Sequence, residues 1–130
     1  MHEYSVALRI SGKALDPAEV TAKLGLKPVQ VRVSGQRRSD NSVWEDSLWE
    51  FATQPEYLWF SLEEGLKALL FACQPCVDAL RQYQKNFDVI LWCGHFSSGF
   101  DGGPTFSPQL LRQLADFGIE LYLDTYISDE

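Results

Sequence analysis

The chain is 130 residues long, 45% apolar and 13% aromatic, with 18 acidic and 11 basic residues and a net charge of −7. That length and apolar content suit one domain spanning residues 1–130 with one substantial core. The acidic balance argues against nucleic acid and membrane surfaces as partners, because both are held by clustered Lys and Arg.

No apolar run reaches the roughly 18 residues of a membrane span. The opening MHEYSVALRI has neither the basic start nor the cleavage site of a secretory leader, so a cytoplasmic protein is expected. Three cysteines, an odd number, fit a reducing compartment better than a disulfide framework.

Tyr4, Val6, Leu8 and Ile10 alternate with Ser5, Ala7 and Arg9, the period of two that marks a half-buried strand. A helix is predicted over Pro17–Leu24. Asp16 caps it, Pro17 suits the first helical position, Glu19 sits where a capping box wants it, and Gly25 permits a left-handed exit. Val29–Val33 reads as a short strand, and the polar SGQRRSDNS after it as a mobile, solvated loop. Leu48–Thr53 is the next strand, with Leu48, Glu50 and Ala52 on one face.

Ser61 and Glu64 form a capping box, and Leu62, Leu66, Leu69 and Cys73 have helical spacing, which predicts a helix from Leu62 to about Cys73. Pro75 breaks it and starts a shorter helix through Val77, Leu80 and Tyr83, ending before Asn86. Phe87–Cys93 is an apolar strand. A glycine-rich loop follows, then a helix over Pro108–Phe117 capped by Ser107 and closed by Gly118, then a strand over Glu120–Ile127.

This order predicts an α+β fold: a mixed, largely antiparallel sheet with helices packed on one face, and the split β-α-β logic of ferredoxin-like domains. LDPAEVTAKLGL and FSPQLLRQLADFGI share a cap–proline–helix–glycine grammar, a weak internal pseudo-repeat.

The opening YSVALRISGKALDPAEVTAKLGLKP, the run from Gly35 to Trp44, the capped SLEEGLKALL helix ending at Pro75 and the closing SPQLLRQLADFGIELYLDTY together resemble a bacterial family, domain of unknown function 4279. The resemblance spans nearly the whole chain. It implies no established activity, cofactor or catalytic residue.

Two regions compete as the working site. Lys23, Lys27, Arg32, Arg37 and Arg38 form a basic stretch without an acid, whereas Asp40–Leu66 holds seven acids and no base. The halves suit pairing within or between chains. A basic loop beside Trp44 and Trp49 also suits an acidic partner, since Arg and Trp are frequent interface anchors. The candidate partner-binding residues are Arg32, Arg37, Arg38, Trp44 and Trp49, and Trp59 and Trp92 are read as core.

The alternative is a small-ligand or metal-binding domain, or an enzyme, built on the loop from Gly94 to Ser107. His95, Ser97, Ser98, Asp101 and Ser107 are its candidates, with Asp124 as a second orienting acid. The helix after the loop could receive an anion, although Pro108 lacks a donor and no nucleotide fingerprint exists. Cys73, Cys76, Cys93 and His95 amount to a Cys3His ligand count, but nothing in the sequence brings Pro75 near Gly94, so metal is not favoured. The favoured reading is a non-catalytic cytoplasmic domain without a cofactor that binds another protein, as an accessory or immunity-type module, or pairs with itself as a homodimer.

Overall fold

A computed structural model describes residues 2–53, 59–99 and 102–128. The alternating opening segment becomes β1 (His2–Gly12), followed by α1 (Pro17–Leu24), β2 (Gln30–Arg32) and β3 (Ser47–Phe51). After α2 (Leu62–Cys73) comes a 3-10 turn (Gln74–Cys76), then α3 (Val77–Gln84), β4 (Asp88–Ser97), α4 (Pro108–Phe117) and β5 (Glu120–Ile127). The caps set these limits. The side chain of Asp16 accepts from Ala18 N, that of Ser61 from Glu64 N, and that of Ser107 from Leu110 N. Gly25 and Gly118 close α1 and α4 at φ 68° and 79°, the left-handed region glycine favours.

The sheet runs β2-β3-β1-β4-β5. β1 pairs antiparallel with β3 and β4, and β3 pairs antiparallel with β2. Among the described strands, only the neighbours β4 and β5 pair in parallel. The first four strands therefore have the ferredoxin-like order, in which β1 and β2 run the same way with β3 between them, and α4–β5 extends that sheet by one strand. The two strand–helix–strand units share their caps but differ in connection. The first is split by β3, whereas the second joins neighbours.

Alternation decides which residues meet the helices. Tyr4, Val6, Leu8 and Ile10 of β1 join Trp49 of β3 and Val89, Leu91 and Cys93 of β4. Against them pack Val20 and Leu24 of α1, Leu62, Leu66 and Leu69 of α2, Leu80 of α3, and Leu110 and Leu114 of α4. Gly65 lets α2 lie close, since a Cβ there would stand 3.0 Å from Val6 Cγ2.

Two segments depart from the sequence reading. β4 continues beyond Cys93 to Ser97 because His2–Ser5 of β1 pairs with Gly94–Ser97. Its last residues are thus ladder, not loop. The polar run after β2 is a closed hairpin: Gly35 N donates to Trp44 O, Trp44 N to Gln36 O, and Arg38 N to Ser42 O. Asn41 takes φ 70° at its tip, and the Asp40 side chain accepts from Ser42 N and Oγ.

Leu66 is fully buried where α2 lies on the sheet. Leu66→Ala should lower stability by about 2–5 kcal/mol, read as a reduced urea midpoint at unchanged slope.

Candidate functional site

With the helices on one side, the other face of the sheet carries Ser5, Ala7, Arg9 and Ser11 of β1. The register sets Glu50 of β3 across from Arg9, and Ile90 and Trp92 of β4 across from Arg9 and Ala7. β5 adds Tyr122, Asp124 and Tyr126 opposite Trp92, Gly94 and Phe96. A chain of contacts crosses this face. Arg9 Nε donates to Glu50 Oε2 at 2.6 Å while its guanidinium lies 4.2 Å from the Trp92 ring centroid. Trp92 Nε1 donates to Asp124 Oδ2 at 3.2 Å, and the Tyr126 hydroxyl donates to the same oxygen. Tyr126 in turn stacks on Phe96 at 4.9 Å.

The chain continues toward β2. With the Gln30 amide oriented to satisfy both neighbours, its nitrogen donates to Glu50 Oε1 at 3.0 Å and its oxygen accepts from Arg32 Nη2 at 2.9 Å. Arg32 and Arg38 each lie 4.1 Å from the Trp44 ring centroid. Stacking engages the guanidinium plane; the Gln30 oxygen takes Arg32 Nε and Nη2, which leaves the edge donors of Arg38 and the far edge of Arg32 to face the groove. Among the described residues, neither arginine forms an ion pair.

Beside them runs a groove of about 640 Å³, with Arg9, Arg32, Arg38, Trp44 and Leu48 in its lining. Glu45 and Asp46 also line it, so it is bipolar. A larger hollow of about 740 Å³ lies between α2, α3 and α4 around Phe71 and Lys67, and it gathers none of the candidate residues.

Of the partner-binding set, Arg32, Arg38 and Trp44 come together. Arg37 is exposed on the same hairpin, where its backbone bridges to Val43, but it does not stack on Trp44. Trp49 does not belong with them. Strand parity turns it to the helix side, where it is fully buried and its Nε1 donates to Thr21 Oγ1 at 3.0 Å.

The glycine-loop set is dispersed. His95 is a buried strand residue, hydrogen-bonded through Nε2 to His2 Nδ1 at 2.8 Å and stacked on Tyr4. Burial, and secondarily the charge on His2, lower its pKa. Asp124 projects from the opposite face, so it cannot orient His95. The Ser97 hydroxyl donates to Gly99 O and accepts from Gly99 N. Ser98 is exposed, and Asp101 lies outside the described residues.

Ser107 is committed to capping α4. Its own N–H donates to Glu63 Oε1 of α2, so the anion at this helix end is an internal carboxylate. That hydrogen bond holds the Glu63 carboxyl below its ordinary range, with a smaller contribution from Lys67 at 3.1 Å.

Cys73, Cys76 and Cys93 are buried free thiols. Burial pushes Cys73 and Cys93 up to about 12 and raises Cys76, so all three stay protonated near neutrality. Among the described residues, no group of three His, Cys, Asp or Glu side chains is placed to hold a metal. Nor is any described helix long and apolar enough to cross a membrane.

Residues 2–128 match the family described as Domain of unknown function (DUF4279). The chain belongs to that family. No curated protein and no solved structure matches it. The DUF4279 description assigns no residue a role, so the site rests on geometry.

Sequence reading assigned Arg9, Glu50 and Trp92 to no site in this DUF4279 domain and gave Asp124 to the glycine loop, because the contacts of these residues join positions far apart in the chain. Trp92 is buried as expected, but on the open face beneath Arg9, away from the helices. Gly94 makes room for it, since a Cβ there would stand 2.5 Å from Trp92 Cη2 and 3.0 Å from Phe96 Cε2.

Gly94→Ala should displace the indole from its place between Arg9 and Asp124 and destabilise by about 1–3 kcal/mol in urea unfolding. Glu63 should give a pH signature. Its folded-state pKa is lowered, so its charge stabilises above the ordinary glutamate range and this contribution is lost as pH falls through the lowered value. Glu63→Gln should therefore lower the urea midpoint at pH 7, and the difference from wild type should shrink as pH falls below the ordinary glutamate range.

Proposed function

We propose that this DUF4279 domain is a non-catalytic, cytoplasmic accessory module, immunity-type in character, that binds an acidic segment of a partner protein on its open sheet face. The observation that carries this reading is Trp44 held between Arg32 and Arg38, each 4.1 Å from its ring, on the wall of the groove. Two guanidiniums fixed by one indole are pre-oriented to donate to carboxylates, which reduces the ordering cost of binding. Glu45 and Asp46 add a requirement for register, because a partner that places its acids against them is repelled.

The overall charge of −7 disfavours nucleic acid, and the described residues of the glycine-loop set are dispersed. His95 and Asp124 occupy opposite faces, the Ser97 and Ser107 hydroxyls are engaged locally, and the thiols are protonated.

The test is an NMR titration of the labelled protein with a decaglutamate peptide. The Trp44 indole N–H and the Arg32 and Arg38 Nε–H resonances should shift saturably. Arg32→Glu combined with Arg38→Glu should weaken the interaction at least about tenfold, while Arg81→Glu on α3 leaves it unchanged. Unperturbed resonances, or binding indifferent to the double reversal, would overturn the assignment.

A further inference from the structure

The two edges of the sheet are built differently. β2 is three residues long, with Pro28 just before it and the arginine-bearing hairpin just after, which makes a short, interrupted, charged edge that resists pairing. β5 is eight residues long and contains no Pro, Gly, Lys or Arg. Its Tyr122, Leu123, Tyr126 and Ile127 are 52%, 51%, 47% and 43% exposed, so apolar groups stand on both of its faces. No described strand pairs with its outer side.

The backbone direction follows from one hydrogen bond. Ser128 N donates to Ser97 O of β4 at 3.0 Å. Amides alternate sides along a strand, so those of Leu121, Leu123, Thr125 and Ile127 point away from β4 and toward the open edge.

We infer that the outer edge of β5 pairs antiparallel with β5 of a second copy of this chain, joining two five-stranded sheets into one about a two-fold axis at Leu123. The proposal is independent of the acidic-segment reading, which uses the opposite end of the sheet.

Charge and parity fix the register. In a symmetric antiparallel pair, opposed residues share a face, so the axis passes through a residue. An axis at Tyr122 sets Glu120 against the partner's Asp124, and one at Asp124 sets that acid against itself; both oppose like charges. Axes at Leu121 or Thr125 pair less of the strand.

An axis at Leu123 opposes no acids within β5. It sets Leu123 against the partner's Leu123 and Leu121 against the partner's Thr125, all with outward-pointing amides. On the open face Tyr122 meets the partner's Asp124, and Glu120 meets the partner's Tyr126, so each acid faces a phenol. Pairing satisfies the outward backbone groups and covers the leucines.

Light scattering coupled to gel filtration tests the pairing. The wild type should elute at twice 14.8 kDa. Leu123→Lys opposes two ammonium groups and should raise the dimer dissociation constant at least about tenfold. Leu123 is half exposed, so the variant should keep the wild-type circular dichroism spectrum.

The register is tested separately by oxidative cross-linking. Leu123→Cys should give a covalent dimer, whereas Leu121→Cys and Thr125→Cys should not, because each faces the other position across the axis. A monomeric wild type, a dimer indifferent to Leu123→Lys, or cross-linking that favours position 121 or 125 overturns the inference.

Discussion

The organising constraint is the alternation of β1 in the middle of the sheet. Because β1 is flanked by β3 and β4, its Tyr4, Val6, Leu8 and Ile10 form the centre of the layer that the helices cover. Its intervening Ser5, Ala7, Arg9 and Ser11 define a second face that none of the described helices covers. A slip of one residue would exchange the two sets and place Arg9 under α2, so the register with both neighbours is strongly specified. The neighbours inherit their polarity from this pairing: Trp49 goes in and Glu50 goes out, Leu91 and Cys93 go in and Trp92 goes out.

The uncovered face is organised by stacking and charge instead of packing density. Arg9 links Glu50 to Trp92, Gln30 links Glu50 to Arg32, and Trp44 links Arg32 to Arg38. A cation–π contact at an exposed site contributes about 0.5–1 kcal/mol, so orientation of the guanidiniums is a larger consequence than stability. The α4–β5 extension is tied to the ferredoxin-like body on the other side of the sheet, where Glu63 of α2 receives the amide of Ser107 at the start of α4.

The helices were legible because their ends are written locally. Asp16 before Pro17, Ser61 before Glu64 and Ser107 before Pro108 each place an oxygen at free amides, and the observed limits of α1, α2 and α4 coincide with those signals. The end of β4 was not legible. Gly94 reads as a loop residue, and its reason for being a strand residue is the Trp92 ring lying over it. The candidate site was half legible: the density of Arg and Trp between Arg32 and Trp49 pointed to the hairpin on which Arg32, Arg38 and Trp44 come together. Parity within Ser47–Phe51 removes Trp49 from it, and only the pairing of distant strands adds Arg9, Glu50 and Trp92.

The position of β1 also has a kinetic side. His2 and His95, hydrogen-bonded in the fold, are separated by 93 residues in the chain. During synthesis the first strand emerges long before β4 exists, while the β2–β3 pair closes over a short distance and can offer β1 only one of its two neighbours. The alternating apolar segment must therefore wait, half-paired, until most of the chain has been made. Loop closure of that length is the slow kind of contact formation, and it falls on the strand at the centre of the sheet.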